Sequence, residues 1–220
     1  MSAETKTGAG QAIDFYFDFI SPFSYLAHQR IPQLANRYGY AIEYHVADLA
    51  TLKRLAGNTA PRMIDMTLKL DYSRIDQKRW ATRYGVPITP PSGSHDSSWL
   101  NRGAFFAADR KCTADYVTTV WTRMRRDGRD LAEEGTWREV AQDLGWDAAE
   151  FVAFVRSDAS LDRYRNASQQ AHDRGVFGVP TMLIGKEMWW GNDRLDFLEE
   201  YLNSRSAALE LSRTSNSRVN

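Results

Sequence analysis

Residues 13–24 constrain the fold of this chain more than any other stretch. Phe15, Phe17 and Phe19 alternate with acidic residues and a tyrosine. This period of two predicts a strand with one strongly apolar face. A helix is predicted to follow at once, because apolar residues then recur every three or four positions as far as Tyr38. The N-terminal part of the chain is therefore a strand that passes into a helix through the pair Ser-Pro.

Ser21 is predicted as the N-cap of this helix and Pro22 as its first residue, where the missing N–H and fixed φ of proline cost nothing. The Ser21 hydroxyl would then lie beside unpaired backbone N–H groups and the positive end of the helix dipole, which together favour an anion. Serine at a helix start is more often a cap than a functional group. Patterns elsewhere in the sequence are needed to tell whether Ser21 is only a cap or also a functional group.

A second pattern lies near the C-terminus. Val179-Pro180-Thr181 precedes a short apolar strand, a turn at Gly185, a second strand ending in Trp190, and a closing helix. A strand and helix followed much later by Val-Pro-Thr, a hairpin and a helix is the order of a thioredoxin fold, whose proline is usually cis. We therefore predict an α/β fold, a thioredoxin-like domain with a large inserted all-helical domain, and a cis bond before Pro180.

The periodicity and the punctuation by glycine and proline suggest how the chain is divided. The predicted helices of the insertion are Leu68–Tyr84, Trp99–Ala108, Tyr116–Arg126, Thr136–Leu144, Asp147–Arg156 and Ser160–Arg174, with Asp147 and Ser160 as caps. The predicted parts are a disordered lead-in (1–12), the first half of the thioredoxin-like domain (13–64), the helical insertion (65–174), the second half of the thioredoxin-like domain (175–203) and a frayed polar tail (204–220). The first half includes a parallel second strand around residues 42–46 and a loop or broken helix over residues 49–64.

Composition excludes several classes of function. The 28 basic and 28 acidic residues cancel, so no electrostatic surface for nucleic acid or anionic membranes is expected. The first dozen residues lack the apolar core of a signal peptide, and no apolar run reaches the roughly 20 residues of a membrane helix. We therefore expect a cytoplasmic protein. The four histidines are scattered without metal-ligand spacing, so no metal site is predicted.

Cys112 is the single cysteine of the chain. Thioredoxin-like oxidoreductases carry Cys-x-x-Cys where this chain carries Ser21-x-x-Ser24, so no thiol–disulfide cycle within one chain is possible. A hydroxyl cannot do redox chemistry, but it can donate a hydrogen bond to a thiolate. If a site exists at Ser21, its sulfur must come from a ligand.

Residues 189–193, Trp-Trp-Gly-Asn-Asp, form the other informative stretch. Asn192 or Asp193 is expected to cap the last helix, and Gly191 allows close approach of the backbone. Asp193 could accept an α-ammonium, and the backbone of Val179 could pair with an extended peptide. The tripeptide γ-Glu-Cys-Gly offers the matching thiol, amide backbone and amino-acid end.

Three segments, residues 14–27, 176–182 and 189–195, together with 69–72 and 79–80, closely resemble the 2-hydroxychromene-2-carboxylate isomerases. These enzymes belong to the DsbA-like, kappa-class glutathione transferase branch of the thioredoxin superfamily. The resemblance implies a glutathione-dependent isomerase that interconverts 2-hydroxychromene-2-carboxylate and trans-o-hydroxybenzylidenepyruvate, or a close analogue, in bacterial degradation of naphthalene-like aromatics. It also implies a homodimer.

The resemblance assigns roles to individual residues. Ser21 matches the active serine, and Lys53 matches a lysine on the side of the aromatic carboxylate substrate. The glutathione site comprises Ser21, Val179, Pro180, Trp190, Gly191, Asn192 and Asp193. The chain departs from the family around Arg62-Met63-Ile64 and Gly93-Ser94-His95, where relatives carry polar and tyrosine pocket residues.

Two other classes stay open. A kappa-like glutathione S-transferase would conjugate glutathione to small electrophiles and consume it. A non-catalytic thioredoxin-like module would bind a peptide or partner without turnover.

Overall fold

A computed structural model describes residues 11–61, 63–90, 92–93 and 96–216, with side chains as far as residue 207. The strands are β1 (Ala12–Phe17), β2 (Ala41–Val46), β3 (Thr181–Ile184) and β4 (Glu187–Trp190). The helices are α1 (Pro22–His28), α2 (Ile31–Tyr38), α3 (Leu49–Leu55), α4 (Thr67–Tyr84), α5 (Ser98–Asp109), α6 (Thr113–Trp121), α7 (Glu134–Asp143), α8 (Ala148–Arg156), α9 (Asp158–Asp173) and α10 (Leu195–Asn216). Short 3₁₀ turns cover Met63–Asp65 and Asn192–Arg194, and a π-helical turn covers Thr122–Arg126.

The four strands form one mixed sheet in the order β2-β1-β3-β4. β2 runs parallel to β1 with Val46 opposite Phe17, whereas β3 runs antiparallel to β1 with Thr181 opposite Tyr16. β4 is antiparallel to β3, which sets Trp190 opposite Thr181. The ends of β1, β2 and β4 and the start of β3 therefore meet at one edge of the sheet. The segments at Ser21, Pro180 and residues 189–193 follow or precede these strand ends and so lie at this edge.

The predicted first helix is interrupted, which corrects the expectation of one helix as far as Tyr38. α1 ends at His28 and α2 begins at Ile31, with Pro32 in the first turn of α2. Proline has no N–H for the carbonyl four residues earlier, so the ladder cannot continue past His28. Ser21 does cap α1, with Pro22 as its first residue, as predicted.

Three other boundaries differ from expectation. Asp147 caps α8 as predicted, but Ser157 rather than Ser160 caps α9. Neither Asn192 nor Asp193 caps α10, because a 3₁₀ turn with no side-chain cap comes first. α3 is a regular helix within the stretch that we expected to be a loop or broken helix.

Both ends of the chain are more regular than expected where they are described. β1 begins at Ala12, the last residue of the predicted lead-in. Gln11, also in the predicted lead-in, accepts a hydrogen bond from Ala41 N–H at its carbonyl (3.0 Å). α10 continues to Asn216, so residues 204–216 are helical rather than frayed. Residues 1–10 of the lead-in and 217–220 of the tail lie outside the described residues.

The helical insertion packs directly on the apolar face of the sheet. Trp121 of α6 is fully buried, and its ring lies 5.3 Å from that of Phe17 and 5.2 Å from that of Phe19. Trp121 and Trp137 are thus core residues. No helix in the described part of the chain is long and apolar enough to cross a membrane.

Candidate active site

The loop between β1 and α1 is fixed by a buried carboxylate. Asp18 is 2% exposed and accepts hydrogen bonds from four donors. They are Ile20 N–H (3.1 Å), Leu49 N–H (3.0 Å), Ser97 Oγ (2.6 Å) and Asn101 Nδ2 (2.7 Å). Burial raises the pKa of the Asp18 carboxyl, and these donors oppose the rise. The sheet, α3 and the helical insertion are therefore tied together at one side chain.

The insertion also holds the backbone of this loop. Phe19 N–H donates to Asn101 Oδ1 (3.2 Å), and Arg125 Nη2 donates to the carbonyl of Ile20 (3.0 Å). Ser21 N–H donates to the carbonyl of Asp18 (3.0 Å). The position of Ser21 is thus set both by the helical insertion and by a hydrogen bond within the loop itself. Sequence reasoning missed Asn101 and Arg125, because neither lies in a motif.

Ser21 itself is 4% exposed and has an extended backbone. Its Oγ accepts from Ser24 N–H (3.2 Å), while no acceptor for the hydroxyl hydrogen occurs among the described residues. The neighbouring Pro22 has no N–H, and the N–H of Phe23 makes no hydrogen bond within the described part of the chain. The hydroxyl can therefore cap the helix and still donate to a ligand.

The Val179–Pro180 bond is cis, as predicted. Pro180 directly precedes β3, at the sheet edge where β1 ends. Its carbonyl accepts from Gly191 N–H (2.9 Å), which joins the cis-proline loop to the turn after β4. The N–H and carbonyl of Val179 make no backbone hydrogen bond within the described residues. They are available to a ligand.

Trp190 borders this loop. Its side chain is half exposed and contacts the Phe177 ring edge to face, with 4.9 Å between centroids. A Cβ on Gly178 would lie 2.9 Å from Trp190 Nε1, so only glycine allows the indole to lie over this backbone. Gly191 has φ +112°, a conformation that favours glycine, and a Cβ there would collide with the Asp193 carboxylate.

The turn after β4 contributes two polar side chains of different character. Asn192 is 3% exposed, and its Nδ2 has no hydrogen-bond partner among the described residues. Asp193 is exposed and forms an ion pair with Arg194 at 2.9 Å. An amide without a partner in a buried position is costly unless a ligand supplies the acceptor.

Lys53 lies on α3, whose first N–H group, that of Leu49, donates to Asp18. Its side chain is partly buried and forms no ion pair with a carboxylate of the described residues. The structure thus ties α3 to the loop at Ser21, and the role of Lys53 stays a prediction. Arg62, Ser94 and His95, at the two positions where the chain departs from the family, lie outside the described residues.

Cys112 is a free, partly buried thiol at the start of α6, and burial raises its pKa. Its Sγ contacts the carbonyl of Ala107 at 3.6 Å. Within the described residues, no group of three or more histidine, cysteine or acidic side chains could hold a metal ion.

Comparison with known proteins identifies relatives of this chain. The family model of the DSBA-like thioredoxin domain matches residues 12–203. The 2-hydroxychromene-2-carboxylate isomerase of Pseudomonas sp. (strain C18) is 44% identical over 187 residues, which cover 85% of this chain and 88% of that protein. This chain belongs to the 2-hydroxychromene-2-carboxylate isomerase family. The family and the fold class predicted from the sequence are both confirmed.

Two further comparisons show how near other proteins lie to this chain. A solved structure of a 2-hydroxychromene-2-carboxylate isomerase superposes with a TM-score of 0.83 at 42% identity, covering 95% of this chain and 99% of that one. Glutathione S-transferase kappa 1 of Caenorhabditis elegans is 24% identical over 210 residues, covering 86% of this chain and 90% of that protein. The isomerases are therefore near relatives, and the kappa-class transferase is a distant one.

Proposed function

We propose that this protein is a glutathione-dependent isomerase that converts 2-hydroxychromene-2-carboxylate, or a close analogue, to trans-o-hydroxybenzylidenepyruvate. One observation carries the proposal. In a chain of the isomerase family, Ser21 presents a hydroxyl whose hydrogen has no acceptor among the described residues, at the position where thioredoxin-like oxidoreductases carry a cysteine. The reactive thiol then has to be brought in. The name of the kappa-class relative supports glutathione as its source.

The residues around Ser21 fit such a tripeptide. The free N–H and carbonyl of Val179 suit pairing with an extended peptide backbone, as in β-strand addition. The Nδ2 of Asn192, buried without a partner, suits a carbonyl or carboxylate acceptor. Gly191 keeps this wall of the site free of a side chain, and the exposed Asp193 suits an α-ammonium. Pro180 and Trp190 border the same space.

Bound glutathione would supply a thiolate nucleophile that adds reversibly to a conjugated double bond and so permits rotation about it. The Ser21 hydroxyl donates a hydrogen bond to this sulfur, which favours the anion over the thiol. Lys53 pairs with the substrate carboxylate and orients the double bond. The contacts of Asp18 and Asn101 keep the Ser21 loop fixed, so that no reorganisation is required at the moment of reaction.

The test follows the absorbance of 2-hydroxychromene-2-carboxylate with purified protein under three conditions: catalytic glutathione, no glutathione, and S-methylglutathione. S-methylglutathione keeps the peptide but lacks a free thiol. We expect rapid approach to equilibrium only in the sample with glutathione, and not without it or with S-methylglutathione. Equal rates without glutathione would contradict the imported thiol.

The same assay separates the alternatives. Loss of glutathione in proportion to product would indicate a kappa-like conjugating transferase. No turnover with an electrophile or the chromene, while glutathione still binds by calorimetry, would leave a binding module or a different aromatic substrate. A reduced thiol cofactor requires a reducing compartment, so we propose that the protein acts in the cytoplasm.

We also propose that the protein forms a homodimer. Leu68, Tyr72 and Ile75 are 88%, 61% and 50% exposed, and their spacing puts them on one face of α4; Ile64, in the turn before α4, is 49% exposed. A second copy of this face would cover this apolar stripe. Sedimentation should give twice the chain mass, and Leu68→Glu should shift it toward the monomer. A monomeric wild-type protein would contradict the proposal.

A further inference from the structure

Arg125 is a buried cation beside the candidate active site. It lies in the π-helical turn that continues α6, and its side chain is 4% exposed. The Nη2 atom donates to the carbonyl of Ile20 at 3.0 Å, and Ile20 directly precedes Ser21. π-helical turns within helices are frequently found at functional sites.

Arg125 lacks the partner that a buried charge normally has. No carboxylate of the described residues forms an ion pair with it, and its buried Nε has no hydrogen-bond partner there. By contrast, Arg123 in the same turn pairs with Asp143 (2.8 Å) and Asp127 (3.3 Å). Buried charges in proteins are generally paired, because a charge without a partner in a medium of low dielectric is costly.

The charge of Arg125 persists at neutral pH. Burial lowers its pKa to about 10, and the Tyr25 phenol opposes this fall. Tyr25 donates to the carbonyl of Pro87 (2.6 Å) and burial raises its pKa, so it stays neutral and does not compensate the guanidinium. Among the described residues no anion compensates this charge, which favours an anionic ligand nearby.

We propose that Arg125 is a positioning residue whose buried charge favours the thiolate form of glutathione held at Ser21. This inference rests on the proposed function. Covalent geometry puts the Ile20 carbonyl oxygen within about 5 Å of the Ser21 hydroxyl, and hence the guanidinium within about 8 Å of it. A sulfur hydrogen-bonded to that hydroxyl lies roughly 3 Å further away, and within about 11 Å, away from bulk water, a positive charge lowers the pKa of a thiol by about one unit.

A purely mechanical role is the competing explanation. The hydrogen bond to Ile20 could simply hold the loop, in which case a neutral donor would serve as well as a charged one. Arg125→Gln keeps a donor and removes the charge, whereas Arg125→Lys keeps both. Arg126→Met is the matched control, since Arg126 is an exposed arginine in the same turn whose charge is screened by water.

The experiment titrates the thiolate of protein-bound glutathione by its absorbance near 240 nm, in a Cys112→Ser background that removes the protein's own thiol. We expect Arg125→Gln to raise the apparent pKa of the bound thiol by about one unit, which is a tenfold loss of thiolate below that pKa. Arg125→Lys and Arg126→Met should stay close to wild type. Arg125→Asn, which also keeps a neutral donor, is the second variant if the glutamine variant does not fold.

Two negative outcomes are distinguishable. If glutathione binds and the neutral variants titrate like wild type, the charge of Arg125 has no role and this inference is wrong, while the proposed function stands. If wild-type protein binds no glutathione, the proposed function and this inference fall together. A rise in the thiol pKa for Arg126→Met equal to that for Arg125→Gln would also overturn the inference, because any arginine nearby would then suffice.

Discussion

Protonation of His28 is expected to destabilise the folded protein in mild acid. His28 on α1 is 5% exposed and lies between β2 and α6. Thr118 donates to the carbonyl of Ala114 (2.9 Å), so its Oγ1 accepts from His28 Nε2 (3.0 Å), and Nδ1 then accepts from the Tyr44 hydroxyl (3.2 Å). The neutral imidazole is therefore fully paired. Burial lowers the pKa of His28 to about 4.

The size of the effect follows from proton linkage. Below pH 6.5 the unfolded chain binds a proton at this histidine, whereas the folded protein binds it only near pH 4. The stability from His28 is thus complete above pH 6.5 and is lost as the pH falls toward 4. For these two pKa values the loss between pH 7.5 and pH 4.5 is about 2.5 kcal/mol.

The measurement is urea unfolding of wild type and His28→Gln at several pH values between 7.5 and 4.5. The variant should be less stable at pH 7.5, because it fills the core less well, but its free energy of unfolding should fall less with acid. We expect the two curves to converge by about 2.5 kcal/mol, the linkage contribution of one buried neutral histidine. Parallel curves would refute the assignment of His28 as a neutral core residue.

Two further substitutions test the site and its support. Asp18→Asn puts an amide N–H where four donors already point, so we expect the free energy of unfolding measured with urea to fall by about 2–4 kcal/mol. A fall below about 0.5 kcal/mol, the usual range for surface substitutions, would contradict the hydrogen-bond network. Gly178→Ala forces Trp190 away from the cis-proline loop and should weaken glutathione binding several-fold by calorimetry with little effect on stability. Unchanged binding would remove Trp190 from the cofactor site.

The parts of the fold that were predictable from the sequence carry local signals. The alternating phenylalanines of β1, the Ser-Pro start of α1 and the Val-Pro-Thr entry to β3 each report their own conformation through steric and capping rules that act over a few residues. The break before Pro32 obeys the same kind of rule. The break was predictable from Pro32, but the prediction followed the apolar spacing, which continues across the break to Tyr38. The cap of α9 was misplaced because Ser157 and Ser160 offer the same chemistry one turn apart.

The supports of the site could not be predicted, because they join distant positions. Asp18 and Asn101 are 83 residues apart in the chain, and Ile20 and Arg125 are 105 apart. Neither Asn101 nor Arg125 belongs to a periodic or spaced motif, and a polar residue on a helix is usually a surface residue. Their burial becomes visible only when the insertion lies on the sheet. The sequence therefore pointed to Ser21 as the candidate active residue, a role that stays a prediction, and missed the contacts of Asn101 and Arg125 that fix the loop around it.

The most direct test of the account compares the isomerisation rates of Ser21→Ala, Ser24→Ala and wild type at saturating glutathione with 2-hydroxychromene-2-carboxylate as substrate. Ser24 is the matched control, since its hydroxyl is buried on the same helix and has no hydrogen-bond partner among the described residues. We predict at least a tenfold lower turnover for Ser21→Ala, about 1.4 kcal/mol of lost stabilisation, and near-wild-type turnover for Ser24→Ala. Wild-type turnover by Ser21→Ala would contradict the central claim that this hydroxyl holds the thiolate.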